Sequence, residues 1–161
     1  MKASDAIRIA LKFSDMGMTH LSSMKDAPLL RPGPWGGNHA MWIAGHLAVV
    51  EGRLQQIIHG GRNPVHEWKR LFDWGSEPVD DPAAYPPFAE VRDMYVRLRT
   101  RNLALLESLS EADLDKATVA PPKGREREFA TYGSSFLVLA LHQMLHRSHV
   151  TDARRAARVA A

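Results

Sequence analysis

Leu141-His142-Gln143-Met144-Leu145-His146-Arg147 lies in the last of four long stretches of this 161-residue chain in which apolar residues recur at helical spacing. Residues four apart on a helix stand one above the other on the same face, so the His142 and His146 imidazoles can reach a single metal ion. A third histidine from a neighbouring helix would complete a three-nitrogen site with an open position, which suits catalysis better than scaffolding alone. The distant segment Trp42-Ile43-Ala44-Gly45-His46-Leu47 carries a histidine for that part.

Three further stretches share the helical period, and none shows strand alternation. The first runs from about Ser4 to Asp26, with Ile7, Leu11, Met18 and Leu21 on one side, and is closed by Pro28, Pro32, Gly33 and Pro34. The second opens after Gly36-Gly37 with Asn38 as N-cap and continues to about His59, where Gly60-Gly61 stops it. A long connection from Gly60 to Pro87 follows, containing Trp68, Trp74 and a short helix over His66 to Phe72. Its length predicts a crossover to the other end of a bundle, or a loop covering a site.

The third helix spans Phe88 to Ser108, with Val91, Tyr95, Leu98, Asn102 and Leu105 along one stripe. Ser110-Glu111-Ala112-Asp113 has the form of a capping box. The last helix begins near Thr131 or Ser134 and runs to about Arg158. The expectation is an all-α fold in one domain over residues 1–161, a four-helix bundle with one long connection between helices two and three.

Cysteine is absent, so any metal must be held by nitrogen and oxygen. No apolar run is long enough to span a bilayer, and Asp5, Arg8 and Lys12 stand where a signal core would lie, which predicts a soluble, cytoplasmic protein. The net charge is only +3 with both signs mixed, so nucleic acid is not an expected partner. Arg147, Arg154, Arg155 and Arg158 cluster on the last helix, where they complement the negative end of its dipole.

Eight histidines leave a choice of ligands. His39, Ile43, His46, Val50 and Ile57 share the inward face of the second helix, but His39 and His46 are about 10 Å apart along its axis and cannot both bind one ion. His46 is deeper and is the preferred ligand; His39 lies near the rim. On the last helix His142, His146 and His149 share a face, and His146 belongs to both adjacent pairs. The pair His142 and His146 stacks better, which leaves His149 as a neighbour of the site. No carboxylate has an obvious general-base spacing, so His39 and His149 are the candidates for handling protons. Trp35, Trp42 and Tyr95 are candidates for lining a pocket.

The segments Gly37-Asn38-His39-Ala40-Met41-Trp42-Ile43-Ala44-Gly45-His46-Leu47-Ala48 and Leu141-His142-Gln143-Met144-Leu145-His146-Arg147, taken together, resemble the DinB-like superfamily, in its DinB/YfiT-like branch of metal-dependent enzymes. The resemblance covers essentially the whole chain in helix order and length. It implies a divalent metal at one end of a four-helix bundle, held by His46, His142 and His146. It also implies a homodimer. Members often continue the last motif with Gly-Gln, whereas this chain has Ser148-His149, which alters the pocket beside the ligands.

Three neutral imidazoles suit zinc or nickel first, and manganese or iron as well. Such an ion activates a bound thiol or a bound water, giving an S-transferase or a hydrolase acting on a small electrophile. Relatives that use a low-molecular-weight thiol favour the first. The zincin motif has the same histidine spacing but a glutamate after the first histidine, and Gln143 in that place argues against its protease mechanism. The competing class is a non-catalytic protein with a structural site, for which His149 would be a fourth ligand.

Overall fold

Caps, prolines and glycines divide the chain into helices, and the computed structural model describes residues 1–27, 29–33 and 37–159. The side chains of 17, 18, 157 and 159 lie outside that description, as do Pro28, Pro34 and Trp35. Helix α1 spans Ala3–Ser22, and its first amides donate to a carboxylate from far along the chain: Ala3 N–H and Ser4 N–H reach Glu111 at 3.1 and 3.3 Å. An acid at the positive end of a helix supplies the missing acceptors.

Helix α2 spans Ala40–His59 and α3, Lys69–Phe72, continues a 3₁₀ turn over His66–Trp68. Helix α4 spans Phe88–Ser108 after Pro87, and α5 is the single turn Glu111–Leu114. Ser110 and Asp113 close the expected capping box on α5. Helix α6 spans Tyr132–Val159. Among the described residues there is no strand, and an isolated bridge joins Ala117 and Thr131. The fold is all-α, and none of its described helices is long and apolar enough to cross a membrane.

Two expectations need correction. The N-cap of α2 is His39, not Asn38, because the His39 Nδ1 accepts the Trp42 amide at 3.1 Å. On α4 the stripe ends on buried Leu106, whereas Leu105 is only half-buried. The pattern Val91, Tyr95, Leu98, Asn102 steps by three and four, and Leu106 is the next four-residue step.

The long helices pack α1 on α6, α2 on α4, α2 on α6 and α1 on α4. One apolar cluster gathers Leu21, the α2 residues from Ala40 to Val49, Phe72, Val91, Leu98 and Val150. The other gathers Ile7, Leu11, Leu54, Ile58, Leu106, Phe136 and Leu139. The order in which each helix meets the two clusters gives its direction: α2 and α4 run from the first cluster to the second, α1 and α6 the opposite way. The connection from Gly60 to Pro87 therefore carries the chain back from one end to the other.

That crossover is sewn onto α2 at two glycines. A Cβ at Gly45 would overlap the Phe72 ring, and one at Gly52 would overlap the Asn63 side chain. Asn63 uses its position to donate to the Val49 carbonyl at 2.9 Å and to accept the Val65 amide at 3.0 Å. Phe72 is thus held against α2 one residue before His46.

Candidate metal centre

His46 sits in the first half of α2 with 1% of its surface exposed. Trp42, one turn earlier, stacks on its ring with centroids 4.7 Å apart and planes 9° from parallel. The Trp42 indole N–H is itself held by the Ser76 hydroxyl at 3.0 Å. Because Gly45 lets Phe72 approach, the Phe72 carbonyl accepts a hydrogen bond from His46 Nδ1 at 2.7 Å. A proton fixed on Nδ1 leaves Nε2 as a lone pair, the form in which histidine binds metals.

That lone pair faces α6, where His46 Nε2 and His142 Nε2 lie 3.2 Å apart. The His146 ring completes the group, 4.9 Å from His46 and 4.7 Å from His142 between centroids. One nitrogen from each of His46, His142 and His146 falls within 4.8 Å of the others. The structure thus joins the i, i+4 pair of α6 to the deeper histidine of α2.

Burial drives the protonation state. It pushes His142 down to about 4, aided by His46, Arg53 and Arg125, and His146 down to about 3, aided by His142, His46 and His149. Burial also lowers His46, although the Phe72 carbonyl opposes it. At neutral pH all three are uncharged imidazoles, as metal ligation requires. Two nitrogens of a tetrahedral zinc site stand about 3.3 Å apart, and the His46 to His142 separation matches that spacing. The donor set fits a divalent transition metal.

The other two histidines singled out in the sequence are placed differently. His149 is exposed and lies outside the group of three, with its Nδ1 3.3 Å from His146 Nδ1. His39 is fully buried at the start of α2, where Nδ1 caps the helix and Nε2 donates to the Val79 carbonyl at 3.1 Å. The structure does not bring it to the cluster. Of the aromatic residues, Trp42 supports His46 and Tyr95 lies buried near Gln143 at 3.5 Å, while Trp35 lies outside the described residues.

Sequence reading missed two neighbours of the site. The first is a buried polar layer between the apolar clusters. Glu51 pairs with Arg99 at 3.3 Å and accepts from Asn102 Nδ2 at 2.6 Å and from the Gln143 amide. Arg99 also pairs with Asp15 at 2.7 Å. Burial raises Glu51 while Arg99 and Asn102 pull it back. A glutamate in the otherwise apolar run Val49-Val50-Glu51-Gly52 was the available signal.

The second neighbour is a cavity of about 380 Å³ with His142 in its wall. Its lining includes Arg53, Trp74, Arg125 and Phe129, and neither Trp42 nor Tyr95. Arg53 is paired with Asp73, and that pair, the Trp74 amide and Lys69 outweigh burial to hold the Asp73 carboxyl below its ordinary value.

No curated protein matches the sequence. Residues 15–150 match the DinB superfamily, a span that includes His46, His142, His146 and most of the helical framework that positions them. On that match, the chain belongs to the DinB superfamily.

Proposed function

We propose that this chain is a metal-dependent enzyme, a four-helix bundle of the DinB/YfiT type that transfers a low-molecular-weight thiol to a small electrophile. The observation that carries the reading is the convergence of His46, His142 and His146 within 4.8 Å, two of them buried and His142 half-buried, all neutral. A divalent ion held there, zinc or nickel first, supplies an open position at which a thiol or a water becomes acidic enough to act as a nucleophile at neutral pH.

The chain's own groups do the rest. Phe72 fixes the His46 tautomer, and a proton on His146 Nδ1 directed at His149 frees the other His146 nitrogen. His149, exposed beside His146, is the residue placed to exchange protons with solvent. His39 is left out of that role because both its nitrogens are engaged. The apolar cavity beside His142 holds substrate and keeps bulk water away. We extend the proposal to a cytoplasmic homodimer, on the resemblance to the family.

The test is elemental mass spectrometry of untagged protein, wild type against His146→Ala. Near-stoichiometric metal in the wild type and its loss in the variant is the expected result. Protein that takes up no zinc, nickel, manganese or iron overturns the reading. Loaded protein is then assayed for thiol transfer and for hydrolysis, and hydrolysis without thiol dependence replaces the transferase assignment.

A further inference from the structure

The cavity beside His142 has a chemistry of its own. Its walls are apolar, formed by Leu54, Ile57, Val138, Leu139 and Leu141 among others, and its volume of about 380 Å³ is in the range of small-molecule sites. Three charged side chains line it: Arg53, Arg125 and Glu128. They differ in how far they are already satisfied.

Arg53 is neutralised by Asp73. Arg125 is not neutralised in this way. Its guanidinium lies over the Trp74 ring at 4.9 Å and the Phe129 ring at 5.1 Å, and its nearest carboxylate, Glu128, stands off at 3.6 Å. A partly exposed pair at that distance is weak. Among the described residues the Arg125 side chain makes no hydrogen bond, so its N–H groups remain available. Contact with two ring faces restrains the guanidinium while its N–H groups can still meet a carboxylate. Trp74 comes from the crossover and Arg125 from the connection before α6, so two loops meet to present one cation in the lining of an apolar cavity.

We propose that this cavity binds a small organic acid, with an apolar body against the α2 and α6 side chains and a carboxylate on Arg125. The assignment deepens the proposed function and rests on it in one respect, that the bound acid is the electrophilic substrate. In that case the carboxylate is held by Arg125, and the His142 wall of the cavity is where the body of the ligand meets the metal centre.

The test is isothermal titration of 1-naphthaleneacetate and of its neutral amide, 1-naphthaleneacetamide, into metal-loaded wild type. The acid is expected to bind about tenfold more tightly or better, with the preference shrinking in high salt. Arg125→Gln should bring the two ligands to similar affinity, with Arg125→Lys between, and Val138→Trp should weaken both by filling the cavity. Circular dichroism melts establish that each variant is folded. The same titration into His146→Ala separates this proposal from the metal reading. A preference that survives there and vanishes in Arg125→Gln supports the proposal, whether or not wild type holds metal. A preference lost in His146→Ala but kept in Arg125→Gln means the carboxylate binds the metal and overturns it. Equal binding of acid and amide, no binding of either, or undiminished binding to Val138→Trp also overturns it while leaving the metal measurement to stand alone.

Discussion

Two polar assemblies bridge α2 and α6 inside this protein, one around Glu51 and one around His46. Around Glu51, unlike groups meet: Arg99, Asn102 and Gln143 all direct donors at one carboxylate, and Asp15 takes the remaining face of Arg99. Around His46, like groups meet. Three imidazoles face one another, each neighbour makes protonation harder, and the buried His142 Nδ1 has no partner among the described residues. The first assembly is complete within the chain, whereas the second is left with the donor set that fits a divalent cation. Gln143 lies between His142 and His146 yet belongs to the first, so one turn of α6 is pinned by the scaffold while it presents the ligands.

The comparison breaks most visibly at Arg99. Arg99→Met leaves Glu51 buried without its cation and should cost about 3–5 kcal/mol of stability in urea unfolding. In metal-free protein His146→Ala should cost no more than about 1 kcal/mol, since its one hydrogen-bond contact is to the exposed His149. Similar costs for the two would mean the assemblies are not of different kinds.

Gly45 and Gly52 sharpen it further. Alanine at either position collides with the crossover, with Phe72 in one case and Asn63 in the other, and each should cost about 1–3 kcal/mol. Only Gly45→Ala moves the carbonyl that orients His46. It should therefore weaken metal binding about 10-fold to 100-fold in a competition titration, while Gly52→Ala leaves affinity near wild type.

Acid should act on the histidine assembly first. His142 and His146 fall to about 4 and about 3 in the folded protein, below the ordinary value of about 6.5, so the unfolded chain takes up protons that the folded chain refuses. Stability of metal-free protein should then decline as pH falls from about 6.5 toward 4, by up to about 1.4 kcal/mol per pH unit for each proton. The loss levels off below the folded values. Thermal melts across that range check it, and His142→Ala should flatten the slope.

Much of the histidine assembly was legible because it rests on local geometry. Spacing put His142 and His146 on one face, and depth along α2 separated His46 from His39. The Glu51 assembly was not legible, since its four other members come from α1, α4 and α6 and meet around α2 only once four helices are in register. Asn102 stood out on the apolar stripe of α4, but nothing local says that it faces Glu51. The cavity was hidden for a similar reason: Trp74 and Arg125 lie in two irregular connections, and periodicity says nothing about loops. His39 shows a local rule outcompeted. Asparagine is the better cap in general, yet the His39 imidazole, fixed from behind by Val79, reaches the Trp42 amide instead.

The smallest expected effects lie at the two histidines read from sequence as proton carriers, and they separate the roles that the structure gives them. His39→Ala removes a cap and should cost about 1 kcal/mol without changing metal content, and His39→Asn should recover part of that loss. His149→Ala should change stability by less than about 0.5 kcal/mol, because the side chain is exposed. Its effect should appear instead in the metal titration, as a loss of about tenfold in affinity, since His146 Nδ1 loses the group that orients its proton. If His149→Ala leaves affinity unchanged, the ring is a bystander at the edge of the centre. If His39→Ala is the variant that releases metal, the boundary drawn between scaffold and site at the start of α2 is in the wrong place.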